Sequence, residues 1–377
     1  MSIDLSKMPK LGFGCMRLPV KDDEIDIEQM KEMVDLYLNA GLNYFDTAYV
    51  YHRGKSEVAI KEAIIDRYPR ESFILADKLP AWEIHSKEDR DRIFNEQLER
   101  TGAGYFDMYL LHSVEDGNIH IYRENDCFEW AKAKRDEGLI IHFGFSFHGT
   151  PGLLKELLDE HPEVEFVQIQ LNYADWDNPK VRSGELHQIL CERNIPMVIM
   201  EPIKGGTLAK LRPELEAHYL EAEPNKSIAS WALRFVGSLP GVMTILSGMS
   251  ALEQMKDNVN TFTHFEPLNE KEKELIDQVV KEMFSVEQIG CTACRYCTEG
   301  CPMNIAIPDI FRIVNEHTIY ENVDKAKFSY GFLLNKDHGK ASDCLQCGQC
   351  ESVCPQHLPI IELMQKASKL LDERDRL

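Results

Sequence analysis

The sequence predicts an α/β chain, a (β/α)8 barrel followed by a small, mainly α-helical domain built around eight cysteines. Three observations carry that expectation. Eight short apolar runs alternate with amphipathic stretches over roughly 250 residues, the size of such a barrel. One cysteine pattern occurs twice near the C-terminus, and a length of 377 residues suits one large unit and one small one. With 44% apolar and 28% charged residues, the chain is too hydrophobic to be disordered or fibrous.

The candidate strands run over 10–18, 43–48, 73–78, 107–112, 140–146, 165–170, 196–200 and 243–248. Helical stretches between them, such as EQMKEMVDLYLNAG and IASWALRFVG, close on Gly41, Gly102, Gly138 and Gly237, where a C-cap calls for positive φ. A doubly wound open sheet is the alternative, but it needs a glycine-rich phosphate turn after the first strand, and GFG at 12–14 lacks the third glycine. After the last barrel helix, PLNEKEKELIDQVVKEMF reads as a charged linker helix. The expected boundary falls near Phe284–Gln288, with barrel and linker over 1–284 and the second domain over 285–377.

Lys and Arg number 42 against 63 Asp and Glu, a net charge of −21, of which the first 284 residues carry −18. No basic run interrupts this acidity, so nucleic acid is not an expected partner. The start MSIDLSKMPKLGFG lacks the basic and apolar regions of a secretory signal, and IPMVIM is far shorter than the roughly 20 residues of a membrane span. A soluble, cytoplasmic setting without membrane partners is the expectation. There, cysteines serve as metal or redox ligands more often than as disulfides.

Cys15, Cys127 and Cys191 precede Gly290; the other eight form two copies of C-x2-C-x2-C-x3-C-P, Cys291, Cys294, Cys297, Cys301 and Cys344, Cys347, Cys350, Cys354. At this spacing three thiolates wrap one [4Fe–4S] cube while the fourth, beside a proline turn, crosses to the other. One cluster is thus expected on Cys291, Cys294, Cys297 and Cys354, and a second on Cys344, Cys347, Cys350 and Cys301. A pair of zinc sites would explain the C-x2-C knuckles but neither the third cysteine nor the C-P of each copy. The 42 residues between the copies have helical periodicity and are too many for a compact bacterial ferredoxin. The tail resembles the α-helical two-cluster ferredoxin domains of multi-domain oxidoreductases, whose clusters move single electrons or staple a small domain.

Reactive groups of a (β/α)8 barrel lie at the C-terminal ends of its strands. Those ends carry Asp46, Lys78 and His112, with Tyr51 five residues after Asp46. Tyrosine, with an ordinary pKa near ~10, donates a proton at neutral pH only where a cation stabilises its phenolate. Lys78 is placed to supply that charge and Asp46 to hold the ammonium. Singly, each has a plainer reading: a barrel ion pair, a loop aromatic, a core histidine.

NYFDTAYVY followed by GKSE at 54–57, LADK at 75–78, YLLH at 109–112, GFS at 144–146, and ILSGMS with KDN at 256–258 together resemble the aldo-keto reductase family over about residues 8–262. The resemblance implies a catalytic tetrad of Asp46, Tyr51, Lys78 and His112, with NADH or NADPH as hydride carrier. In it Tyr51 serves as acid/base, Lys78 lowers the phenol pKa, and His112 orients a small carbonyl or alcohol. It also implies a cofactor site of Ser146, Gln168, Met200, Pro202, Gly205, Ser247, Gly248, Met249, Gln254 and Asn258. Here the chain departs from the family. Phe147 replaces the carboxamide-binding Asn, for which Asn172 or His148 is a candidate substitute. Met200 replaces the stacking aromatic, a polarizable side chain that still packs on a ring. Gln254 replaces an Arg, and ILSG replaces I-P-K-S, so the cations that hold the 2′-phosphate of NADP are gone. Pocket candidates are Tyr49, His52, Trp82, Phe147, His148 and Tyr173, with Trp82 and Phe147 as an apolar wall.

Two other readings stay open on sequence. In one, the barrel is a docking or non-hydride module and the clusters exchange electrons with a ferredoxin or flavoprotein. In the other, the clusters couple to the barrel's own chemistry, which needs a radical or a flavin because hydride moves two electrons and a cluster one. The chain shows no flavin motif.

Overall fold

The computed structural model describes residues 4–372. They divide into two compact units, 4–209 with 225–273, and 210–224 with 274–372. Residues 210–224 and 274–284, which the sequence places with the barrel, group with the cysteine-bearing unit. Within that unit Arg212 Nη2 donates to the Glu282 carbonyl at 3.2 Å and His218 Nε2 meets Glu282 Oε2 at 2.7 Å.

The first unit is a closed parallel barrel of eight strands: β1 (Leu11–Gly14), β2 (Tyr44–Asp46), β3 (Ile74–Pro80), β4 (Phe106–Val114), β5 (Ile140–Phe147), β6 (Phe166–Gln170), β7 (Met197–Met200) and β8 (Val242–Ser247), with β8 closing on β1. All eight expected strands are present. The first is shorter than expected: β1 stops at Gly14, and Cys15–Arg17 turn as one helical turn instead of continuing extended. The pairing runs out there, because Phe13 already faces Ser247, the last residue of β8.

Side chains alternate across each strand, so every second residue enters the barrel. Tyr44, Ala76, Met108, Leu110, Phe166, Val198 and Leu246 form the buried plug. Residues of the same parity one step nearer the C-terminal mouth are Asp46, Lys78, His112, Gln168 and Met200. Ser146 follows in β5, two places after Gly144, which faces Phe166 in the register. The period of two thus delivers six functional candidates to one rim. The opposite parity, including Phe13, Phe45, Leu75, Tyr109 and Val167, packs against the helices in a separate apolar shell.

Those helices follow from local chemistry. Ile27–Asn39 begins on Asp26, whose carboxylate accepts from Gln29 N, and Lys87–Thr101 ends on Gly102 at φ 67. Gly237 differs from the expectation: it is the last residue of Ile228–Gly237 without a left-handed φ, and close packing requires it, because a Cβ there would lie 2.7 Å from the Phe265 ring.

The second unit is helical, with Ile307–Tyr320, Val323–Leu334 and Ile360–Leu371 and two single helical turns, Tyr296–Glu299 before the first and Gln349–Ser352 before the last. Ile310, Phe311, Ile313, Tyr330 and Met364 form its core. Its β pairing among the described residues is a single bridge, Ile305 to Gly339. The Tyr330 hydroxyl accepts from Ala341 N at 2.6 Å and donates to Asp372 at 3.0 Å, tying the second cysteine segment to the last helix.

Gly144 is the barrel position least able to accept a side chain, since a Cβ would collide with the Phe166 carbonyl oxygen and lie 2.9 Å from its ring. Gly144→Ala is expected to lower stability by about 1–3 kcal/mol, read as a reduced unfolding temperature. An unchanged temperature would contradict this register.

Candidate functional site

Lys78 is wholly buried at the inner wall of β3, and its Nζ donates to Asp46 Oδ1 at 2.6 Å and to the Thr47 carbonyl at 2.6 Å. The ammonium lies 5.0 Å from the centre of the Tyr51 ring. His112 stands edge-on to Tyr51 with ring centroids 5.8 Å apart, and Trp82 leans on His112 at 5.2 Å. The three candidates from strand ends and Tyr51 from the loop after β2 therefore converge. The strand that carries His112, β4, has an irregular step between Leu111 and Val114, with Ser113 at φ 56, and Ser113 N donates to Ser146 Oγ at 2.6 Å. Such a bulge beside a site re-aims the side chains on either side of it.

Burial pulls the Lys78 ammonium down, but Asp46 and Tyr51 together overcome it and take it up to about 12. Burial raises the Asp46 carboxyl despite Lys78. For Tyr51, burial raises the phenol more than Lys78 lowers it, so the net shift is upward. This differs from the sequence expectation of a lowered phenol: the lysine limits a rise. Tyr51 is consequently a neutral phenol at physiological pH, the form that can donate a proton. Burial, then Lys78 and His148, hold His112 well below its ordinary 6.5, so its imidazole is neutral; its Nδ1 is buried without a hydrogen-bond partner.

These groups open into a cleft of about 620 Å3, within the range of small-molecule sites. Asp46, Tyr51, His112, Ser146, Gln168 and Met200 line it, with His52, Trp82 and His148 from the expected pocket set. The other three pocket candidates lie elsewhere, so the expected apolar wall keeps Trp82 and loses Phe147. Tyr49 donates to Glu96 Oε2 at 2.6 Å, Phe147 is buried against Phe145, and Tyr173 is buried against Phe235. Asn172 does not substitute for the missing Asn either: its amide is committed to Asp175 and the Glu201 carbonyl.

A second hollow of about 280 Å3 is lined by Pro202, Gly205, Ser247, Gly248, Met249, Gln254 and Asn258. Arg17, Glu201, Leu246 and Gly248 border both hollows. The ten expected cofactor residues are thus divided between two adjoining spaces of the barrel unit. Asn258 Nδ2 donates to Ser247 Oγ at 3.0 Å, and Gln254 Oε1 accepts from Ser250 N at 2.8 Å. Gln168 Oε1 is buried without a partner, an orphaned acceptor suited to an amide N–H, while its Nε2 reaches Met200 Sδ at 3.5 Å.

Residues 10–281 match the aldo/keto reductase family, and residues 290–358 match a 4Fe-4S dicluster domain. The chain belongs to the aldo/keto reductase family. Among its relatives, an uncharacterized oxidoreductase of Bacillus subtilis is 27% identical over 290 residues, covering 68% of this chain and 87% of the relative. A protein of Schizosaccharomyces pombe named as an NAD/NADP-dependent indole-3-acetaldehyde reductase is 26% identical over 268 residues, covering 68% and 87%. The solved holo form of an aldo-keto reductase from Bacillus halodurans superposes with a TM-score of 0.60 at 25% identity, covering 72% of this chain and 91% of that one.

This aldo/keto reductase carries its cysteines in the second unit around two further hollows. One is lined by Cys291, Cys294, Cys297 and Cys354 with Phe311 and Ile307, the other by Cys344, Cys347, Cys350 and Cys301 with Ile305 and Met364. Each hollow takes three cysteines from one motif and the fourth from the other, the crossing expected from the spacing. The four-thiolate, apolar lining fits an iron–sulfur cube. Cys15 and Cys127 are buried in the barrel shell. Among the described residues no helix is long and apolar enough to cross a membrane.

Arg17 escaped the sequence reading. In an uninterrupted strand its parity would point it away from the barrel interior; the helical turn after Gly14 brings it to the mouth instead.

The neutral, buried His112 sets a pH limit. The unfolded chain binds a proton on this residue below about pH 6.5 and the folded chain does not, so its contribution is present above that pH and lost as pH falls. His112→Gln is expected to show a shallower fall of unfolding temperature between about pH 7 and pH 5 than the parent chain. Parallel curves would contradict the assignment.

Proposed function

We propose that this chain is a nicotinamide-dependent reductase that transfers hydride to or from a small carbonyl or alcohol, with Tyr51 as the acid/base. The observation that carries the reading is the fully buried Lys78 ammonium, bound to Asp46 and the Thr47 carbonyl and lying 5.0 Å from the Tyr51 ring centre, with His112 across the cleft.

A reduced nicotinamide, when bound, would supply the hydride for the carbonyl carbon, with the C–O π pair moving onto oxygen. Tyr51 Oη gives its proton to that oxygen, so carbonyl, hydride and proton balance as an alcohol. The phenolate left behind faces Lys78, whose positive charge, kept by Asp46, limits its cost before solvent returns a proton. The neutral imidazole of His112 offers a ring N–H to the same oxygen without competing as an acid. Gln168 Oε1, buried without a partner, and Ser146 would hold the carboxamide of the ring, and Met200 would pack on its face. A relative named as NAD/NADP-dependent is consistent with either nucleotide.

In the second unit the two four-cysteine sets would hold two [4Fe–4S] clusters. Cys294 and Cys347 are exposed, one in each set, so a cluster held by either set would be reachable by a one-electron partner such as a ferredoxin or flavoprotein.

Tyr51→Phe is expected to lower kcat for carbonyl reduction by about 100-fold or more while leaving nicotinamide binding and iron–sulfur absorbance in place. Undiminished turnover would refute the acid/base role. Pairwise serine variants test the cluster assignment. Cys291→Ser with Cys354→Ser should cost no more iron than either alone, whereas Cys301→Ser with Cys354→Ser should cost both clusters. The reverse ordering of iron content would overturn the crossed sets.

A further inference from the structure

We propose that Arg17 is the cation that binds the diphosphate of the dinucleotide, and that Glu201 holds it at the junction when no nucleotide is present. This inference rests on the nicotinamide reading above and goes beyond it by assigning a residue from a different loop.

The catalytic cleft and the second hollow share a border, and a dinucleotide that places its nicotinamide beside Gln168 and its adenosine beside Asn258 must put its diphosphate there. Arg17 lines both spaces and, among the described residues, is the sole lysine or arginine to line either of them. Lys204, on the neighbouring loop, is paired with Asp175 at 2.5 Å.

Two glycines make room for the arginine. A Cβ at Gly248 would lie 3.1 to 3.3 Å from three carbons of the Arg17 stem, and one at Gly205 would lie 3.0 Å from Arg17 Nη2. The stem therefore crosses the loop after β8 and the guanidinium reaches the loop after β7. The turn itself is tied down, because Ser250 Oγ donates to the Arg17 carbonyl at 2.8 Å.

The guanidinium is nevertheless unspent. Its side chain is 49% exposed, and its ion pair is Glu201 at 3.9 Å, too long for a hydrogen bond. Glu201 sits at φ 56, a left-handed conformation that is unfavourable for a non-glycine residue, and its carbonyl is held there by Asn172 at 3.0 Å. A carboxylate kept beside the guanidinium balances it in the free protein. A diphosphate, with two oxygens able to meet the planar fork, is the better partner.

The test is calorimetric binding of NADH, NADPH, ADP and adenosine to the intact, cluster-loaded chain. Arg17→Gln is expected to weaken NADH, NADPH and ADP by about tenfold or more and to leave adenosine unchanged. Arg17→Lys should recover part of the loss, and Glu201→Gln should tighten all three phosphorylated ligands. Equal affinities for Arg17→Gln and the parent chain would overturn the assignment, as would a loss extending equally to adenosine. Failure of the parent chain to bind either dinucleotide would instead refute the nicotinamide reading itself.

Discussion

A protonated amine with no access to water is the constraint around which the barrel site is arranged. Lys78 can remain charged there because Asp46 neutralises it at 2.6 Å and the Thr47 carbonyl takes a second N–H. Removing one partner of such a buried pair costs about 3–5 kcal/mol, since the remaining charge is uncompensated. The same charge restrains the rise that burial imposes on Tyr51 and helps keep His112 neutral. Burial thus sets the protonation state of both groups that would face a carbonyl oxygen, and the lysine opposes it at Tyr51 and reinforces it at His112.

That arrangement depends on strand parity, and parity is why so much of it was legible. Residues two apart share a face, so placing Asp46, Lys78, His112 and Gln168 at strand ends of one register places them on one rim. The cysteine crossing was readable for a similar reason, because a fixed spacing constrains which thiolates can meet. Arg17 was hidden because its segment reads as strand, and only the end of pairing at Ser247 shows that it turns. Phe147 and Tyr173 were misplaced because an aromatic near a strand end serves the outer shell as well as the cleft. The balance at Tyr51 was also unreadable, since the sequence names the cation but does not measure the burial that opposes it.

The loop after β7 shows how a site can be built at local expense. Glu201, Lys204, Gly205 and Gly206 all have positive φ, an unusual density in six residues. Two are glycines, which adopt it freely; the other two are held by Asn172 on the Glu201 carbonyl and by Asp175 on the Lys204 ammonium. Asn172 braces the loop that borders both hollows and is not free to take the carboxamide of a nicotinamide.

In the proposed function the groups around Lys78 serve closed-shell hydride transfer, distinct from the single-electron chemistry of iron–sulfur clusters. The direct measurement is isotopic: reduction of a carbonyl substrate with NADH or NADPH carrying deuterium at C4 of the ring, followed by NMR of the alcohol. Deuterium retained on the carbinol carbon is the predicted result. Hydrogen from solvent at that carbon, with the label lost, would contradict it.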